Sequence, residues 1–121
     1  MRTVAASLVA VALLAVAGCG GSSVSQPAGS TKVTMNEYKF DPSSVNVTAG
    51  KVVFFLVNAG TVSHDLVIRD STGTRVAGSE LVSAGDSIVF TVDNLAAGSY
   101  TIFCDQQGHE ASGMKGTLTA T

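Results

Sequence analysis

The sequence predicts an all-β fold, a β-sandwich of about seven or eight strands forming one domain, and three observations carry that prediction. Its 121 residues, 45% hydrophobic and only 13% charged, lie in the range for one packed core and outside the range for disorder. Beyond residue 30 there is no internal repeat and no helix-length amphipathic pattern. What replaces them is a series of short β-rich runs broken by turn residues at close intervals.

The predicted strands are Lys32 to Glu37, Val45 to Val47, Val52 to Asn58, Ser63 to Ile68, Ser87 to Val92, Ser99 to Phe103 and Lys115 to Thr119. Each break between them has a mechanism. Asp41-Pro42 presets a turn, Ala49-Gly50, Ala84-Gly85 and Ala97-Gly98 supply small or positive-φ positions, and Asp93-Asn94 can bond to their own backbone. Val52-Val53-Phe54-Phe55-Leu56-Val57 is apolar on both faces, as a central strand requires, and Ile88-Val89-Phe90-Thr91-Val92 is nearly so, so these two strands are expected to anchor the core. Between Arg69 and Ala84 two readings stay open: one short strand, or a helical turn around Arg75 to Leu81.

The N-terminus reads differently. Met1 and Arg2 precede a small or apolar stretch from Val4 to Ala17 interrupted by Ser7 alone, a charged n-region followed by a hydrophobic h-region. It is shorter than the roughly 20 residues of a comfortable bilayer-spanning helix. The stretch ends in Val16-Ala17-Gly18-Cys19, which resembles the lipobox of bacterial lipoproteins, where the cysteine is diacylated and becomes the mature N-terminus. The plainer alternative is an ordinary secretory leader. The expected organisation is a lipoprotein signal peptide over 1–18, a flexible Gly/Ser-rich tether over 19–30 and a folded domain over 31–121.

Lipidation of Cys19 changes the cysteine arithmetic. Two cysteines in an exported protein would ordinarily suggest a disulfide. With Cys19 carrying lipid, Cys104 has no partner, and a lone thiol in an oxidising compartment is exposed to oxidation unless something occupies it. A metal is the simplest occupant.

Cys104 opens the segment Cys104-Asp105-Gln106-Gln107-Gly108-His109-Glu110-Ala111-Ser112-Gly113-Met114, a C-x4-H-x4-M spacing. A thiolate, an imidazole and a thioether on one loop form a soft donor set suited to copper, whereas a zinc site would more usually carry a second cysteine or histidine in place of methionine. A trigonal blue-copper site needs a second imidazole, and the one other histidine is His64. Taken singly, Cys104 would be read as a small buried hydrophobe, His64 as a surface or core histidine and Met114 as core filler. At this spacing Cys104, His109 and Met114 are read together as ligands, whereas for His64 both readings stay open on the residues alone.

The chain resembles the cupredoxins, the blue-copper family of plastocyanin and auracyanin-like proteins. The N-terminal pattern lies in Tyr38-Lys39-Phe40-Asp41-Pro42, Val47-Thr48-Ala49-Gly50, Val53-Phe54-Phe55, Asn58 and His64, and the C-terminal one in Gly98, Tyr100, Cys104, His109, Gly113, Met114 and Gly116. The resemblance implies a Greek-key sandwich holding one copper ion that cycles between Cu(II) and Cu(I). It makes His64, Cys104 and His109 equatorial ligands and Met114 the axial one, with the His109 edge as the exit for electrons. Ala59, Gly60, Gly108 and Ala111 are small enough to let a partner approach closely. Three positions depart from the pattern. Asp65 stands where many members have an asparagine that ties the two ligand loops; it can still accept backbone donors, and its charge is expected to lower the potential. Ile102 and Gln107 replace a frequent aromatic and a frequent proline, so a less rigid loop is expected.

The expected function is electron transport by a monomeric, lipid-anchored cell-envelope protein on the periplasmic or extracytoplasmic face of a bacterial membrane, with redox proteins as donor and acceptor. Copper storage or delivery by the same ligands is the main alternative, and a metal-free interaction module a second. There is no Ser/His/Asp order, phosphate loop or second metal cluster to suggest an enzyme. The net charge of -2, from seven basic and nine acidic residues, does not fit a nucleic-acid or headgroup binder. Asp105 and Glu110 read as solvated loop charges without a role.

Overall fold

The computed structural model describes residues 24–121. Cys19, the leader and the first part of the predicted tether lie outside the described residues, among which no helix is long and apolar enough to cross a membrane. Among the described residues nine strands form two sheets. In chain order they are β1 (Thr31–Asn36), β2 (Lys39–Asp41), β3 (Ser44–Val47), β4 (Gly50–Asn58), β5 (Val67–Arg69), β6 (Arg75–Gly78), β7 (Ser87–Leu95), β8 (Gly98–Phe103) and β9 (Lys115–Ala120). One sheet has the order β2-β1-β4-β7 and the other β3-β9-β8-β5-β6.

The two sheets pack face to face because each presents apolar residues at alternate positions. Val33 and Met35 of β1, with Phe54 and Leu56 of β4, meet Val45, Ile68, Ile102 and Leu118 from the opposite sheet, all essentially buried. β4 is central, paired in parallel with β1 and antiparallel with β7, which accounts for its apolar run. The all-β sandwich expected from the sequence is the fold observed.

Three local readings need correction, and of the two left open between Arg69 and Ala84 the short strand is the one observed. β7 is an edge strand: it contributes Val92 and Leu95 to the core, but Val89 is 43% exposed, because only one side of the strand has a neighbour. Phe90, opposite Phe54 on β4, packs against the core and stacks on that ring, centroids 5.8 Å apart. Asp93-Asn94 do not end β7. The pairing shifts between Gly50↔Leu95 and Val52↔Val92, so β7 holds an extra residue there as a bulge. The segment from Arg69 to Ala84 contains the short strand β6 rather than a helical turn, joined to β5 by a turn in which the Asp70 carboxylate accepts from Thr72 N and Thr74 N. Finally, Ser63 to Leu66 is not strand. His64 makes an isolated bridge with Val82, and Leu66 N donates to Ser79 Oγ at 3.0 Å. Ser79 N also donates to Leu66 O at 2.9 Å, so isolated bonds to Ser79 and Val82 take the place of a ladder, and this frees His64 and Asp65 for the site.

Candidate metal centre

β8 runs through the core and ends at Phe103, so the next residue, Cys104, emerges wholly buried at one end of the sandwich. The chain then makes a compact loop before β9. Cys104 N donates to Met114 O at 3.1 Å and Met114 N donates to His109 O at 3.0 Å, so one set of backbone bonds locks three of the four predicted ligands. Met114 is itself wholly buried. The fourth, His64, comes from the segment between β4 and β5 at the same end of the sandwich and is also wholly buried, held through Val82 by backbone bonds of 3.1 and 2.8 Å.

The donor atoms converge. His64 Nδ1 lies 3.2 Å from His109 Nδ1, and Cys104 Sγ lies 3.4 Å from His109 Nδ1 and 3.9 Å from His64 Nδ1. Two donors each about 2.0–2.3 Å from a shared ion, and about 110–120° apart, stand roughly 3.3–3.8 Å from one another. Three atoms at these separations therefore fit one ion, and the residues that bring them together are those read from the sequence, His64, Cys104 and His109. Two imidazoles, one thiol and one thioether are a copper donor set.

Several residues that the sequence reading left without a role build the surroundings. Asn58 is 1% exposed; its Nδ2 donates to Val62 O and Val82 O, both at 2.8 Å, and its Oδ1 accepts from Gly60 N at 2.9 Å. It thus pins the segment that leads into His64. Asp65 ties the two ligand loops as expected: its Oδ1 accepts from Asp105 N at 2.7 Å. Asp105 and Glu110 are not merely solvated charges. Arg75 pairs with Asp105 at 3.3 Å, and Arg69 pairs with Glu110 while its guanidinium lies 4.4 Å over the Phe103 ring. The β5–β6 hairpin therefore braces the ligand loop from outside, in the position where a proline-stiffened loop was missing. Tyr38, part-exposed, packs edge-on against His109 with ring centroids 4.9 Å apart.

Glu37 is the other addition. Its carboxylate accepts from Thr61 N at 2.8 Å, from Val62 N at 3.1 Å and from His64 Nε2 at 3.0 Å. The Thr61 amide first, then His64 and Val62, lower its pKa to about 2. No short-range pattern pointed to it, since Glu37 and His64 are 27 residues apart.

Cys104 titrates the other way. Burial pushes its thiol above the ordinary value, and the negative charge of Asp65 adds to this, while backbone N–H groups of Asp65 and Gln106 pull partly against it. The metal-free site accordingly holds a thiol at neutral pH. A metal must displace that proton, so copper affinity is expected to rise about tenfold per pH unit between roughly pH 7 and 8.5. Competition titration with a chelator across that range checks this; an affinity independent of pH would contradict a protonated Cys104.

Fold and donor set together define a small metal-binding β-sandwich, and comparison with known proteins gives its family. Residues 6–120 match the family model described as a cupredoxin-like domain. The chain is 34% identical over 85 residues to the plastocyanin of Scenedesmus fuscus, covering 66% of this chain and 84% of that one. It is 32% identical over 95 residues to the plastocyanin of Dryopteris crassirhizoma, covering 70% and 90%. Among solved structures it resembles auracyanin B, with a TM-score of 0.67 and 25% identity over 81% of this chain and 92% of that one. It also resembles auracyanin A of Chloroflexus aurantiacus, a "blue" copper protein, with a TM-score of 0.65 and 20% identity over 77% and 100%. The chain belongs to the cupredoxin-like domain family, and the cofactor of its site is one copper ion.

Proposed function

We propose that this protein is a lipid-anchored electron carrier at the outer face of a bacterial membrane, in which one copper ion is held by His64, Cys104 and His109 with Met114 as a weak axial ligand. The observation that supports this most is the convergence of three donor atoms, the most distant pair 3.9 Å apart, two of them from a loop closed by its own backbone bonds and the third, His64, from a segment bridged to Val82. Bound copper supplies a one-electron Cu(II)/Cu(I) couple. The chain's residues do the rest. Cys104 would offer a thiolate donor, and the wholly buried Met114 would tune the potential as the fourth, weaker ligand. His109, part-buried beside the part-exposed Tyr38, gives the shortest way from the site to a partner. Its plastocyanin and auracyanin relatives support this reading over an enzymatic one.

Replacing Met114 by glutamine is expected to keep copper bound and lower the potential, because an amide oxygen is a harder donor that favours Cu(II). A tenfold gain in preference for Cu(II) over Cu(I) corresponds to about 59 mV. Voltammetry of the copper-loaded variant checks this, and an unchanged potential would remove Met114 from the site. Reversible cycling without copper loss separates electron transport from copper delivery, which would show as ready transfer of Cu(I) to a metal-free acceptor. For the anchor, Cys19→Ser is expected to move the protein from the membrane to the soluble fraction. Redox partners would dock transiently, over less than about 1,200 Å², and the protein is taken to be a monomer.

A further inference from the structure

The turn between β1 and β2 is two residues long, Glu37 and Tyr38, and it touches both imidazoles. Tyr38 packs on His109, and the Glu37 carboxylate lies on the back of His64, at the nitrogen facing away from the other donors. Among the described residues Glu37 is the one side chain bonded to that nitrogen, while His64 Nδ1 faces Cys104 and His109. We propose that Glu37 is a positioning residue for the copper site, fixing His64 in the Nε2–H tautomer and biasing the couple towards Cu(II). This assignment rests on the copper reading above and extends it.

The Glu37 carboxylate acts on His64 in two ways. Nε2–H donating to a carboxylate leaves the Nδ1 lone pair free, so the ring is orientated and its ligating tautomer chosen before metal arrives. A carboxylate at that position also makes the imidazole a stronger donor. It is one imidazole ring away from the ion, and it stabilises the more positively charged redox state more than the other. The fold has made room for it. A Cβ at Gly60 would overlap Glu37 Oε1 and stand 3.0 Å from His64 Nε2, so the small residue at position 60 is what lets the carboxylate reach the ring. The amides of Thr61 and Val62 then hold it there.

Three variants separate charge from structure. Glu37→Gln keeps an oxygen acceptor and removes the charge, Glu37→Ala removes both, and Gly60→Ala keeps the glutamate but drives its carboxylate away. Each is expected to raise the midpoint potential through about a tenfold loss of preference for Cu(II) over Cu(I), within the roughly 10–100-fold range for outer hydrogen-bond partners of metal ligands. In the metal-free protein, nitrogen-15 NMR should show His64 as the Nε2–H tautomer in the wild type and in Glu37→Gln, and as a mixture in Glu37→Ala. A Glu37→Gln potential equal to that of the wild type would overturn the electrostatic part. A wild-type His64 spectrum in Glu37→Ala would overturn the positioning part, whatever copper does. If the wild type itself takes up no copper, the copper reading fails and the tuning role fails with it, whereas the NMR result judges the tautomer assignment independently.

Discussion

Cys104→Ser is expected to abolish the intense visible band of the copper-loaded protein, because that band arises from charge transfer between thiolate and metal and a serine hydroxyl has no counterpart. The affinity for copper should fall further than the roughly 10–100-fold that follows loss of an outer hydrogen-bond partner, since a ligand atom itself is removed. Stability in excess copper should fall too. A ligand present at 1,000 times its Kd stabilises the folded state by about 4.1 kcal/mol, and most of that contribution disappears. The metal-free variant isolates the packing cost: Cys104 is 1% exposed, and an unsatisfied buried hydroxyl costs about 1–3 kcal/mol. Absorption spectra with and without copper, followed by thermal unfolding of both forms, check each part. A coloured Cys104→Ser protein would remove Cys104 from the site.

The second large effect is expected at Asn58. Glutamate or aspartate side chains near the site are tolerated where they face backbone N–H donors, as Asp65 does at Asp105. Asn58 is the opposite case, since its amide donates to two carbonyls, Val62 O and Val82 O. Asn58→Asp turns both contacts into oxygen facing oxygen at a nearly fully buried position. Roughly 3–5 kcal/mol is the range for an uncompensated buried charge. For a domain of this size that lowers Tm by more than about 10 °C. Val82 also forms the bridge that holds His64, so the loss should reach the metal site as well. The expected result is a metal-free protein of much lower Tm and a copper-loaded one of weaker affinity. An unchanged Tm would contradict the role given to Asn58.

What could be read in the sequence was the chemistry that clusters locally. Cys104, His109 and Met114 lie within eleven residues, and their donor types suffice to suggest copper. His64 was reached by elimination and by the family pattern, and the structure brings its Nδ1 to 3.2 Å from His109. Asp65 was legible as a tie between loops for the same reason. The residues that escaped are those whose partners are remote in sequence. Glu37 closed a predicted strand and gave no sign of His64. Asp105 and Glu110 read as solvated charges because Arg75 and Arg69 are 30 and 41 residues away. Strand errors have a similar origin. An apolar run such as Ile88 to Val92 does not reveal whether a second neighbour covers it, and Ser63 to Leu66 has strand-forming residues whose backbone groups bond to the backbone and side chain of Ser79 and in a single bridge to Val82 instead of a ladder.

The central claim is that His64, Cys104, His109 and Met114 hold one copper ion that exchanges electrons without leaving the site. Copper-loaded wild-type protein, followed by visible absorption during repeated voltammetric cycles, tests it most directly. The expected result is an intense thiolate-to-copper band that bleaches on reduction and returns fully on oxidation, with one copper retained per chain. No band, or copper released on reduction to Cu(I), would contradict it.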